Sequence, residues 1–289
     1  MLAHFQNEKF KIWALKHIHN NTRLITIHHG GGAFYRYNGI MLYDREVSDR
    51  YISTGYKNLF GNKTKPLGQF FNHLKYGKYN RKGLALLVSV AMPRYSFDLR
   101  SMVIAGQMIE YFNDQFKFYE NLTNNVKNQL KVRLYNTDYG WSQKQRWLDH
   151  FPEVQFDKNR KMNVSIRQSR LMIGTYASTT YNETLASNIP TIIFWNTKHW
   201  ELSKVSDPFF QELKRVGIFH LTPESAAKQV VKIWDDIDTW WYGLELQKVR
   251  KNYCLAFAYK PKNLIEGIKD VLVQEKMKCD AEQEYKNCL

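Results

Sequence analysis

The chain has 289 residues, 44% hydrophobic and 15% aromatic, which suffices for one large or two small folded domains and excludes a disordered chain. Lysine and arginine outnumber aspartate and glutamate 42 to 27, giving a formal net charge of +15 spread along the sequence with no basic arm. A surplus of this kind gathers polyanions. Without a basic stripe on a recognisable reading module it argues against nucleic acid and for a phosphorylated substrate or an anionic lipid surface.

The predicted elements begin with a helix over residues 1–20, where Phe10, Trp13, Leu15 and Ile18 alternate with lysine and histidine. Its opening, MLAHFQNEKFKIW, carries charges where a signal peptide needs an apolar core. No run of about 18 apolar residues follows anywhere, so no membrane-spanning helix is expected. The expected location is the cytoplasm, with peripheral contact at the inner face of the membrane in keeping with the charge. A strand, Leu24–Ile27, stops at His28-His29-Gly30-Gly31-Gly32, and a second strand runs Arg50–Thr54. The polar, basic stretch 72–81 reads as a linker.

Beyond it the pattern turns regularly α/β. Leu84–Val90 is a buried strand, Leu99–Leu122 a long helix, Leu130–Leu134 a strand, and Trp147–Phe151 the end of a short helix. Arg170–Ile173 is a strand, Tyr181–Ser187 a helix and Thr191–Trp195 a strand, with helices at 205–216, 224–234, 239–256 and 262–274. Strands alternating with helices predict a parallel sheet covered on both faces. Lys276–Leu289 is polar and reads as a flexible tail. Cys254, Cys279 and Cys288 form no CxxC pair, so neither a disulfide framework nor a zinc site is expected.

In open α/β sheets ligands bind beyond the carboxyl ends of the strands, which directs attention to the residues just after each strand. Gly30 and Gly31 follow the first strand and let the backbone approach an anion closely, while the adjacent His29 has the proton affinity of a general base. A plain glycine turn explains the same residues equally well. Ser178, Thr179 and Thr180 open the helix after Arg170–Ile173, where hydroxyls and first-turn amides bind phosphate or merely cap, and Glu183 lies within reach of a ribose or sugar hydroxyl. Arg133 and Tyr135, running into Asp138, offer a phosphate fork and a second candidate base; a buried structural ion pair is the alternative. Arg94 follows the strand 84–90 where a pyrophosphate would lie between two domains. Together these place anion-friendly groups at four strand ends, as a nucleotide-sugar cleft requires.

In order along the chain stand His28-His29-Gly30-Gly31-Gly32, Glu46 through Tyr56, Arg133-Leu134-Tyr135 with Asp138-Tyr139-Gly140-Trp141, Tyr176 through Leu185, Ile189 through Trp195, and Phe209 through Lys214 followed by Val216-Gly217-Ile218-Phe219. This series resembles the LIC12162 family of transferases, found with surface-carbohydrate and O-antigen gene clusters, over roughly residues 23–275. The resemblance implies a GT-B-like α/β fold: a partial N-terminal Rossmann-like domain (1–75), a linker (76–81), a C-terminal domain with a Rossmann-like parallel sheet binding a nucleotide sugar (82–275), and the tail (276–289). Family members are about twice this length, so the chain looks like a C-terminal portion. Its first motif departs from the family pattern, with His28 where glutamine is usual and Ala33-Phe34 where an aromatic-glycine pair is usual. The implied reaction is glycosyl transfer from a nucleotide sugar to a glycan or lipid-linked glycan. No cofactor or metal is expected, the nucleotide sugar being a substrate. His29 matches the family histidine, and its role as base is an inference. The alternatives are a polyol-phosphate transferase of the teichoic type and a non-catalytic remnant that binds nucleotide without turnover.

Overall fold

The structure, a computed structural model, describes residues 7–18, 22–28, 30, 39–55, 61–70, 73–95 and 102–287. Its first part holds helix α1 (Glu8–Ile18), strand β1 (Ile25–Ile27), helix α2 (Gly39–Val47), and strands β2 (Arg50–Ser53) and β3 (Thr64–Pro66), which form a three-stranded parallel sheet in the order β1-β2-β3. Thr26, Tyr51 and Thr64 align across it and are buried. The Thr26 hydroxyl donates to the Asp44 carbonyl of α2 at 3.2 Å, which fixes that helix on this face.

The second part runs β4 (Leu84–Val88), α3 (Gln107–Glu120), α4 (Asn124–Lys127), β5 (Leu130–Arg133), α5 (Gln143–His150), β6 (Gln155–Phe156), α6 (Met162–Gln168), β7 (Ser169–Gly174), α7 (Thr179–Ala186), β8 (Thr191–Phe194), α8 (Asp207–Arg215), β9 (Phe219–His220), α9 (Pro223–Ile233), α10 (Ile237–Trp241) and α11 (Leu244–Phe257). All six strands pair in parallel, in the order β6-β5-β4-β7-β8-β9. The central strands carry almost unbroken apolar runs because helices cover both faces. The core is rich in large rings: Trp147, Trp195 and Trp241 are fully buried, and Phe118 of α3 stacks on Phe194 of β8 at 4.9 Å. The chain builds outward one way from β4 through β5 to β6, then the other way from β7 to β9. The crevice between the carboxyl ends of β4 and β7 is therefore the topological switch point of a doubly wound sheet.

The two parts are stitched where α11 ends. A Cβ placed on Gly55 would fall 1.9 Å from the Ala256 carbonyl oxygen, so only glycine lets the two segments cross. The Thr54 hydroxyl donates to Phe257 O at 3.0 Å, Tyr259 N to Thr54 O at 3.1 Å, and Gln69 N to Tyr259 O at 2.7 Å. The last helix, α12 (Leu264–Asn287), then returns to the first sheet. Its buried Glu275 takes both Nε and Nη2 of Arg50, at 2.9 and 2.7 Å, and Glu282 pairs with Arg23.

Several expectations are corrected. The polar tail 276–289 is helical as far as Asn287, because Glu275 and Glu282 anchor it to arginines of the first sheet. The helix expected from Leu99 begins at Gln107, after Ala105 in a left-handed conformation (φ 44°). The helix expected over 239–256 is two helices, parted at Gly243. Strands β3, β6 and β9 have only two or three residues each, too short to register as periodicity.

Candidate active site at the strand ends

The floor of the switch-point crevice is held by Tyr111 of α3. Val90 N donates to its hydroxyl at 2.9 Å, the hydroxyl meets Thr175 Oγ1 at 2.5 Å, and Thr175 Oγ1 donates to Val88 O at 2.8 Å. One phenol thus ties the end of β4 to the end of β7. Complete burial raises its pKa far above the ordinary value, so it stays neutral.

Beyond Thr175 the chain enters α7. Ser178, at φ −140° and ψ 172°, is the N-cap, and its hydroxyl bonds the Tyr176 phenol, which burial pushes up to about 12. Thr179 is exposed and Thr180 half-buried at the first turn. The rest of the helix is clamped from behind. Tyr253 donates to Asn182 Oδ1 at 2.8 Å, and Arg250, buried, donates to Leu185 O at 2.6 Å. Asn188 (φ 54°) then turns the chain, with its side chain held by Gln247 at 3.0 Å.

The turn after β1 approaches this helix at Gly30. A Cβ on Gly30, whose φ is 76°, would lie 3.2 Å from Thr179 Oγ1. The glycine turn after β1 therefore rests on the first residue of α7, joining two segments far apart in sequence. His29 and Gly31, its neighbours, lie outside the described residues. The preceding His28 is buried and hydrogen-bonded through Nδ1 to the Tyr51 hydroxyl at 2.9 Å, a structural place.

Glu183, one turn further along α7, is half-buried. Burial raises its carboxyl to about 7, partly opposed by Lys260. Lys260 itself is pushed down by the same burial, and its ammonium donates to Leu74 O. A carboxyl poised between its two charge states thus lies beside a lysine close to where the two parts meet.

Arg94 stands exposed after β4, its guanidinium 5.0 Å from the Trp141 ring. Tyr135, also exposed, stacks on Tyr139 with centroids 6.2 Å apart. Two candidates are corrected. Arg133 is buried and paired with Asp157, and it also donates to Asn159 O at 2.8 Å, Ser165 Oγ at 3.0 Å and Arg160 O at 3.3 Å, which leaves its guanidinium committed within the second domain. The ion-pair alternative is what the structure shows. Asp138 accepts from Ser142 N at 2.8 Å and Gln143 N at 2.7 Å. Burial pushes its carboxyl up, but these amides outweigh it and hold the group below the usual range. That is a capping role at the start of α5, and a poor base.

The family model for LIC12162 family transferases matches residues 3–272. The chain belongs to this family. Among solved structures it is similar to MurG of Acinetobacter baumannii, with 11% identity and a TM-score of 0.51 over 90% of this chain and 69% of that one. It is also similar to a Listeria monocytogenes protein described as a UDP-N-acetylglucosamine 2-epimerase, with 8% identity and a TM-score of 0.50 over 91% of this chain and 71% of that one. No curated protein matches. At such identities the likeness concerns the fold: two Rossmann-like units with parallel sheets, the GT-B architecture, here in a transferase family.

Of the residues singled out from sequence, Gly30 lies beside Thr179 at the start of α7, the helix that also carries Thr180 and Glu183. Tyr111, Arg250 and Lys260 were not singled out. Tyr111 looks like any core aromatic of a helix until its hydroxyl partners are seen. Arg250 and Lys260 act on α7 and Glu183 from more than 60 residues away in sequence, so no local motif contains them. Among the described residues no group of three or more His, Cys, Asp or Glu could hold a metal ion, and no helix is long and apolar enough to cross a membrane.

Proposed function

We propose that this transferase moves a glycosyl group from a nucleotide-activated donor to a hydroxyl of a bacterial surface polysaccharide of the O-antigen or capsule type. The observation that carries the reading is the approach of Gly30 to Thr179. Gly30, which we read as part of the acceptor side, lies beside the helix start that we read as the diphosphate site. First-turn amides of an α-helix have no intrahelical partner, and the helix dipole favours negative charge there. Ser178, Thr179 and Thr180 add hydroxyls, and Glu183 is placed for ribose or sugar hydroxyls. Arg94 supplies positive charge to the leaving nucleotide. His29 is retained from the sequence as the acceptor's general base; Arg133 and Asp138 leave the chemistry. Charge building on the departing phosphate is thus met by groups already oriented by Tyr253, Arg250 and Tyr111.

The exposed face of α1 supports a place of work at a membrane surface. Ile12, Trp13, Leu15 and Ile18 are exposed on it beside Lys9 and Lys16. Apolar side chains interleaved with lysines suit an anionic bilayer surface, where a lipid-linked glycan acceptor would be presented from the cytoplasmic side.

The test is calorimetric titration with a panel of nucleoside diphosphates. The wild type should bind at least one, and Thr179→Ala with Glu183→Ala should weaken that binding by about tenfold or more, in line with losing charge-assisted hydrogen bonds, with an unchanged circular dichroism spectrum. Silence of the wild type toward every nucleotide, or equal binding by the variant, would remove the reading.

A further inference from the structure

The loops after β4 and β5 form a second built surface beside the crevice. Three residues of the β5 loop occupy the left-handed region: Tyr139 (φ 54°), Gly140 (φ 78°) and Ser142 (φ 52°). For Tyr139 and Ser142 that conformation costs of order 1 kcal/mol or more each, and it persists only where the surroundings enforce it. Here they do. Asp138 spends both carboxylate oxygens on the amides of Ser142 and Gln143, and Trp141 N donates to Asp138 O at 3.1 Å. Trp141, itself buried, donates from Nε1 to Met92 O at 2.7 Å and so ties the β5 loop to the β4 loop, with Arg94 lying over its ring.

What this scaffold displays is a pair of phenol rings. Tyr135 and Tyr139 are 41% and 38% exposed, nearly parallel at 20°, and fixed on a strained loop at the carboxyl ends of the parallel strands. The pair follows β5, the neighbour of β4 on the side away from β7, and so stands at the same edge of the sheet as Ser178.

We propose that Tyr135 and Tyr139 are the stacking surface for the nucleobase of the donor, with Arg94 at the border of that subsite on the phosphate side. This rests on the donor reading above. A base is favoured over an acceptor sugar because the rings stand at the carboxyl ends of the same sheet as the diphosphate helix. They therefore keep one geometry toward the donor whatever the first sheet does. The role assigned from sequence to Asp138 is thereby replaced by another: it holds the loop that carries Tyr139.

The experiment is titration of the wild type, Tyr135→Ala/Tyr139→Ala and Tyr135→Phe/Tyr139→Phe with uridine, cytidine, guanosine, adenosine and thymidine diphosphates and with inorganic pyrophosphate. Loss of stacking on alanine substitution should cost about tenfold in affinity for the preferred nucleotide. It should also erode the preference among bases, leave pyrophosphate unchanged, and be reversed by the phenylalanine pair. Nucleotide binding unaltered in the alanine pair overturns the subsite and leaves the donor reading standing. Equal loss for pyrophosphate, or failure of phenylalanine to restore binding, overturns stacking as the cause. Wild-type protein that binds neither nucleotides nor pyrophosphate overturns both readings.

Discussion

The two sheets of this transferase solve the same problem with different amounts of material. The second has six parallel strands, a crevice pinned by one tyrosine, and a signature helix clamped by Tyr253 and Arg250. The first has three short strands, and the last helix of the chain braces it through the Arg50–Glu275 and Arg23–Glu282 pairs. The larger sheet holds α7, the proposed donor helix, through its own residues. The smaller one approaches that helix at Gly30, beside Thr179. Errors in the second sheet should therefore show as lost folding or lost donor binding, and errors in the first as lost transfer.

The sharpest way to break this contrast is at Arg133. Arg133→Met strands the Asp157 carboxylate in the interior, and removing one partner of a buried pair costs about 3–5 kcal/mol. Chemical denaturation should show that loss. A variant within about 1 kcal/mol of wild type, the range of an exposed pair, would mean that the second sheet does not depend on its internal ion pair. Next in size is Gly30→Val. A branched side chain at φ 76°, against Thr179 Oγ1, should lower transfer by up to about a hundredfold, the cost of displacing a reacting group by about 1 Å. Nucleotide affinity should hold; if it falls in step with transfer, Gly30 belongs to the donor side and the division of labour fails.

Smaller is the effect expected at α1. Ile12→Glu with Leu15→Glu should reduce co-sedimentation with phosphatidylglycerol vesicles several-fold, leaving binding to neutral phosphatidylcholine low in both proteins. Unchanged sedimentation, or a dimer dispersed by the same changes, would reassign that face. The smallest effect concerns Glu183. Its folded pKa, about 7, lies above the ordinary 4.5, so the folded state holds a proton that the unfolded chain releases. Stability from this group is fully present below about 4.5 and is lost as pH rises through about 7. Glu183→Gln keeps a neutral side chain, so its melting temperature relative to wild type should climb across that window and level off above it. A flat difference would show that the carboxyl is not buried as described.

Much of this was legible beforehand, for reasons that differ by element. Strands β4, β7 and β8 announce themselves because burial on both faces demands continuous apolar runs, and α7 because hydroxyl residues precede it. The left-handed turn at Gly30 and the N-cap at Ser178 depend on local conformation, so local sequence displays them. What sequence concealed is commitment between distant groups. Arg133 reads as a phosphate ligand until Asp157 claims it, and Asp138 reads as a base until two amides do. Whether a polar side chain is free depends on what the fold brings to it, which no spacing rule encodes.

The polypeptide passes between the sheets twice, once in the segment around Leu74 and once through Tyr259, and the Lys260 ammonium on Leu74 O fastens the two passages together. A body hung from a single thread can twist freely; one hung from two joined threads behaves like a door on a pair of pins. Two passages pinned to each other restrict how one sheet can turn against the other, and so help to keep Gly30 beside Thr179.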